Sequence, residues 1–244
     1  MNSFALRGLN RALLIPVAFL LACSPEQDAS APGKAETPAP ASNGPVSTAP
    51  VSIVPGRPGQ TFVYECQDGT QFTARVEGEK AWLFLPSATV SLPHIEAASG
   101  AKYGDGKRMF WNKGDLAMLE RNGHERTECK NNRSKAIWED AKLRGADFRA
   151  VGNEPGWNLE LSRDYGIVFV TNYGSDKYTF ALPEPVSDKD AGTTLYSVGG
   201  DGHELSILLE LGPCIDSMSG EQFETKVIIT FDATKLNGCG RPLH

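Results

Sequence analysis

From Gln60 to the C-terminus the chain is cut into short runs of alternating apolar and polar residues by glycine, asparagine, aspartate and proline, and this punctuation restricts what it can fold into. Thr61–Cys66 and Gln71–Val76 flank Gln67-Asp68-Gly69-Thr70, and an Asp-Gly pair between two such runs signals a hairpin. Ala81–Leu85, Arg108–Trp111, Leu116–Leu119 and Thr127–Cys129 continue the pattern, with Asn122-Gly123 marking a further turn. A second series follows at 156–161, 166–170, 177–182, 193–198, 205–211 and 226–231. Only Ser134–Arg144 has helical character, and it falls between the two series as a junction. The pattern predicts an all-β fold of two small antiparallel barrels or sandwiches, 60–133 and 134–244, with no internal repeat between them.

Five cysteines add a constraint. Cys66 and Cys129 bracket the first series, while Cys214 and Cys239 lie in the second. Pairing them within each block closes two loops and contributes about 4 and about 3.5 kcal/mol on the loop-entropy model. Four cysteines allow three pairings, so the other connectivities stay open at this point.

The fifth, Cys23, has a different setting. Arg7 and Arg11 precede the apolar stretch Ala12–Ala22, which is too short to span a bilayer and has the form of a secretory signal, 1–22. Its end, Leu20-Leu21-Ala22-Cys23, resembles the lipobox of bacterial lipoproteins. That resemblance implies lipidation of Cys23, and Ser24 after it implies the outer membrane; the alternative is an ordinary signal with an incidental cysteine. Ser24–Gly56 carries seven prolines and no aromatic residue, so 23–59 reads as a lipidated cysteine and a linker. Such a linker reaches about 30 Å as a coil and about 100 Å as extended polyproline helix.

Two glycine-containing segments of the first block stand out, Ala98-Ser99-Gly100-Ala101-Lys102-Tyr103 and Phe110-Trp111-Asn112-Lys113-Gly114-Asp115. One presents a hydroxyl, the other an ammonium, and Gly100 and Gly114 permit sharp turns and close approach. Read from the residues alone they are two polar hairpin turns. A Ser/Lys hydrolase dyad is the other chemical reading, but no oxyanion donor or orienting third group is legible beside them.

The run from Tyr64-Glu65-Cys66 through Leu83–Pro86, the two segments just named and Cys129 resembles the MliC family, the membrane-bound lysozyme inhibitors of c-type lysozyme. The resemblance covers about residues 60–133. It implies a small antiparallel β-barrel with one disulfide, c-type lysozyme as protein partner, no enzymatic activity and no cofactor. Ser99 and Lys113 match the two motif side chains that reach into the enzyme's cleft, with Gly100 and Gly114 shaping the loops and Tyr103 closing the first motif as a support.

The second block offers Gly152-Asn-Glu-Pro-Gly-Trp157, Cys214-Ile-Asp-Ser-Met-Ser-Gly220 and Asn237-Gly-Cys-Gly240. Together these resemble a domain of uncharacterised bacterial lipoproteins, a likeness that brings no activity with it. They read as turns around a disulfide, with a ligand role for Glu154 or Asp216 as the alternative. His94, His124, His203 and His244 have no metal-ligand spacing with the cysteines, so no metal is expected. Trp82 and Trp111 read as barrel core or rim. The formal charge of −6 gives no reason to expect a nucleic-acid partner. That charge is uneven: Arg57–Arg133 has 11 basic and 10 acidic side chains, and Ser134–His244 has 10 and 17. A second functional reading of the chain is an envelope lipoprotein that binds or scaffolds cell-wall material such as peptidoglycan, or an envelope partner, through the second block.

Overall fold

The computed structural model describes residues 59–122 and 125–244. The signal, Cys23 and most of the linker lie outside them, as does His124.

Eight strands close into a barrel: β1 (Gln60–Cys66), β2 (Gln71–Glu77), β3 (Lys80–Leu85), β4 (Ala88–Ile95), β5 (Ala101–Gly104), β6 (Met109–Lys113), β7 (Leu116–Arg121) and β8 (Glu125–Asn131), each antiparallel to the next. Alternation decides which side chains fill it. Phe72 and Ala74 of β2, Ala81 and Leu83 of β3, and Phe110 and Asn112 of β6 point inward. The centre is aromatic, with Tyr64, Phe72 and Phe110 at ring distances of 5.5 to 6.1 Å and Tyr103 stacked on Phe110. Two seams are narrow. β4 meets β5 through only His94↔Tyr103 and Ile95↔Lys102, and β1 meets β8 through three pairs ending at Cys66↔Cys129. The second seam is covalently closed by the Cys66–Cys129 disulfide.

Helix α1 (Arg133–Leu143) follows at once. Asn132 caps its start by accepting the Lys135 amide at 3.1 Å, and Gly145, at φ +93°, ends it. Its buried Trp138 and Ala141 pack on Phe223, Cys239 and Leu243.

Nine further antiparallel strands form one curled sheet: β9 (Phe148–Asn153), β10 (Gly156–Ser162), β11 (Gly166–Thr171), β12 (Asp176–Phe180), β13 (Val186–Asp188), β14 (Thr193–Gly200), β15 (His203–Ile215), β16 (Gln222–Phe231) and β17 (Thr234–Pro242). Their order is β12-β11-β10-β9-β17-β16-β15-β14-β13, around a core of Leu159, Ile167, Phe169, Ile207, Val227 and Ile229. The second disulfide joins Cys214 to Cys239, so both cysteine pairings are those that keep each bridge within its own block.

The glycine-rich patterns of the second half are packing devices. A Cβ on Gly152 would lie 2.2 Å from the Trp157 indole nitrogen, and one on Gly238 would lie 2.1 Å from the Val151 carbonyl and 2.5 Å from the indole ring. Asp216 accepts bonds from the Ser219 amide and hydroxyl on one oxygen and from Asn153 on the other, so one oxygen holds its own turn and the second ties that turn to the end of β9. Among the described residues no cluster of three or more His, Cys, Asp or Glu has metal-binding geometry, and no helix is long and apolar enough to cross a membrane.

Candidate functional site

Ser99 sits on the loop joining β4 to β5, and Lys113 is the last residue of β6, at the start of the tight turn into β7. Both side chains are exposed. The backbone pairing Ala101↔Asn112 places the loops side by side at one end of the barrel.

The link between them is Trp111. Its indole N–H donates to the Ser99 carbonyl at 2.8 Å, and its ring carries the Lys113 ammonium 3.7 Å from the centroid. Lys102 approaches the same ring at 5.6 Å. The indole is half-buried but the ammonium on it is exposed, and a cation so placed at a surface is held by only about 0.5–1 kcal/mol, enough to bias the lysine's rotamers without committing its charge. Among the described residues Lys113 has no carboxylate partner and the Ser99 hydroxyl no hydrogen bond. One donor of each kind is therefore free.

Gly100 makes the approach of the two loops feasible. It lies at φ +70°, and a Cβ there would stand 2.3 Å from the Asn112 carbonyl and 2.8 Å from the Lys113 side chain. Gly114 is also left-handed, at φ +66°, but a Cβ on it would meet nothing within 4 Å. Its glycine answers the turn alone.

The lysine loop is braced from below. Buried Asn112 donates to the Tyr64 hydroxyl at 2.6 Å and accepts the Gly114 amide at 3.2 Å, while the Tyr64 hydroxyl lies 3.4 Å from the Gly114 carbonyl. Burial, together with the nearby Asp115 charge, raises the Tyr64 pKa far above its ordinary value, so this brace stays a neutral phenol. Asp115 is held by Arg133 at 2.9 Å, which holds the Asp115 carboxyl below its usual range. Tyr103 is only 3% exposed, its ring edge-on to His94. It supports the serine loop from inside the barrel and offers a partner no surface.

Sequence reading placed the two loops but missed their coupling through Trp111. The signal was its position, outward-facing on β6 between inward-facing Phe110 and Asn112.

The site is thus one end of a closed β-barrel at which two adjacent turns display a hydroxyl and an ammonium. Residues 64–128 match the family model described as "Membrane-bound lysozyme-inhibitor of c-type lysozyme". A protein of that name from Yersinia enterocolitica is 36% identical over 90 residues, 36% of this chain and 74% of the relative. Another, from Pseudomonas aeruginosa, is 33% identical over 61 residues, 23% of this chain and 48% of the relative. The crystal structure of Pseudomonas aeruginosa MliC in complex with hen egg white lysozyme aligns at 24% identity over 41% of this chain and all of that one, with a TM-score of 0.27. The chain belongs to the family of membrane-bound lysozyme inhibitors of c-type lysozyme, a family of inhibitors and not of enzymes.

Proposed function

We propose that this chain is an envelope-tethered inhibitor of c-type lysozyme, acting by insertion of the Ser99 and Lys113 loops into the enzyme's catalytic cleft. Lysozymes cleave between two carboxyl groups that flank the scissile bond. Lys113 bonds the ionised carboxylate through a charge-assisted hydrogen bond, and Ser99 bonds the other carboxyl in either protonation state. In a desolvated cleft such a pair outweighs the hold of Trp111 on the ammonium, so the lysine transfers from ring to carboxylate. The observation that carries this reading is Trp111, which ties the Ser99 backbone to β6 and biases the Lys113 ammonium to lie beside it before any partner arrives.

Cys23, which lies outside the described residues, is the proposed lipid anchor, with the outer membrane as its destination. The names of the relatives, membrane-bound inhibitors, support attachment to the envelope.

The test is a lysis assay with c-type lysozyme and the chain lacking its signal. Lys113→Ala is expected to weaken inhibition by at least tenfold, since truncating one partner of a desolvated charge pair costs about 2–5 kcal/mol. Lys113→Arg restores it only in part, because a planar fork does not replace a compact ammonium. Unchanged inhibition by folded Lys113→Ala removes the assigned role, and no inhibition by the unaltered chain removes the function.

A further inference from the structure

Among the described barrel residues two large apolar side chains are exposed, Ile95 at 37% and Leu116 at 61%. A single exposed leucine is ordinary, but these two flank the donors. Ile95 closes β4 just before the Ser99 loop, and Leu116 opens β7 as the strand partner of Lys113 across the turn.

The register joins them into one outward patch. Ile95 pairs with Lys102, Lys102 with Trp111 and Trp111 with Met118, while Leu116 and Met118 share the outer face of β7. The charged groups on this patch border it. Lys102 and Lys113 carry their ammonium groups over the Trp111 ring, exposed Lys130 pairs with Leu116 from β8, and Glu128, beside Met118, accepts Gln67 at 3.1 Å. Between Trp111, Lys113, Leu116, Met118 and Glu128 lies a shallow cavity of about 200 Å³ with a largely apolar lining. Small-ligand sites are usually about 300–1,000 Å³, so this one suits a side chain of a protein partner better than a free ligand.

We infer that the lysozyme-docking surface continues from the two turns down the outer face of β6 and β7, where Leu116 and Met118 bury against an apolar part of the enzyme's cleft wall. The inference rests on the inhibitor reading above and adds what two donors cannot supply, the exclusion of water. A charge-assisted bond gains most where solvent is kept out, and the energetic centre of an interface is ringed by contacts that keep it out. Leu116, opposite Lys113 in the register, is placed to form part of such a ring. The chemistry of the partner fits. A glycosidase keeps its acid carboxyl protonated by setting it against apolar surface, so a donor that reaches the carboxyls meets an apolar wall beside them. Lys102, Lys113 and Lys130 around the patch complement those carboxyls, whereas a second copy of this chain docking patch to patch would set like charges against each other.

The test is binding of hen egg white lysozyme to the chain lacking its signal, measured by surface plasmon resonance, with Tm reporting the fold of each variant. Leu116→Ala is expected to raise Kd about tenfold, mostly through faster dissociation. Leu116→Asn, close in size but polar, should cost at least as much, and Leu116→Met should stay within about threefold of the unaltered chain. In the Lys113→Ala background the effect of Leu116→Ala should shrink, since no ammonium remains to be shielded. Val186→Ala, which trims an exposed apolar side chain of β13, should leave binding unchanged. Leu116→Ala and Leu116→Asn within about twofold of the unaltered chain, beside a weakened Lys113→Ala, would overturn the inference and leave the inhibitor reading standing. Unchanged binding by Lys113→Ala would remove both. A dimer that Leu116→Asn dissolves in sedimentation, with lysozyme binding unaltered, would assign the patch to a second copy of the chain instead.

Discussion

Gly100 and Gly114 have almost the same backbone angle and opposite surroundings, so replacing each by alanine separates two costs. Either substitution places a Cβ in the left-handed region, which costs about 1–2 kcal/mol. At Gly114 that is the whole effect, because a Cβ there points into open space. At Gly100 the methyl would lie 2.3 Å from the Asn112 carbonyl oxygen, a backbone atom fixed by the β5–β6 pairing, and relieving such an overlap costs about 1–3 kcal/mol more. Gly100→Ala should therefore be less stable than Gly114→Ala by about 2 kcal/mol, which is roughly 4–8 °C in Tm for a chain of this size. If the serine loop lifts away instead, the difference in Tm shrinks. The Trp111 bond to the Ser99 carbonyl then breaks, and inhibition falls far more in Gly100→Ala than in Gly114→Ala. Thermal unfolding followed by circular dichroism, run beside a lysis assay, reads both routes. Two variants alike within about 0.5 kcal/mol and equally inhibitory would refute the reasoning.

Trp111→Phe retains a ring under Lys113 but loses the indole donor, so it should cost about 0.5–1.5 kcal/mol of stability. Its effect on inhibition should combine non-additively with that of Lys113→Ala in a double-mutant cycle, whereas strict additivity would mean that the two loops are independent. Burial tends to raise the Asp140 carboxyl, but hydrogen bonds from Arg144 and Thr61 and the charges of Arg144 and Arg75 outweigh it and hold the folded-state value below the ordinary range. Its contribution is then complete above the ordinary aspartate pKa of about 3.9 and is lost progressively as pH falls below that toward the depressed folded value, so Asp140→Asn should lower Tm at neutral pH and flatten its decline in acid. Parallel acid limbs for the two proteins would contradict this. Removing the Cys66–Cys129 bridge by double alanine substitution should cost about 4 kcal/mol on the loop-entropy model, measured by denaturant unfolding without reductant.

Much of the barrel was legible because its strands alternate and its turns carry Asp-Gly or glycine. β4 was missed because Ala88–Ile95 contains Pro93 and only one fully buried position, Leu92, which is too little periodicity to read. Ala101–Gly104 read as part of a loop, yet it pairs as β5, too short to show a period. β17 was hidden for a different reason. Thr234–Pro242 is rich in residues that strands avoid, and its glycines are required by the Trp157 indole and the Phe148 ring of neighbouring strands. β9 was obscured by Arg149, a charged residue at a buried position, which becomes intelligible only beside Glu160. The same holds for the site. Ser99 and Lys113 carry local signals, whereas the clamp depends on a tryptophan facing two loops at once.

That clamp has a consequence for survival among hydrolytic enzymes. A protease must draw several residues into an extended strand within its own active site, so a loop is cut only as often as it opens. The segment between β4 and β5 is five residues long, and the indole bond at Ser99 and the close seat of Gly100 hold its end against β6. Exposing the peptide bonds around Ser99 requires that seam to part first. The residues most displayed to a partner are thereby among those least available for cleavage.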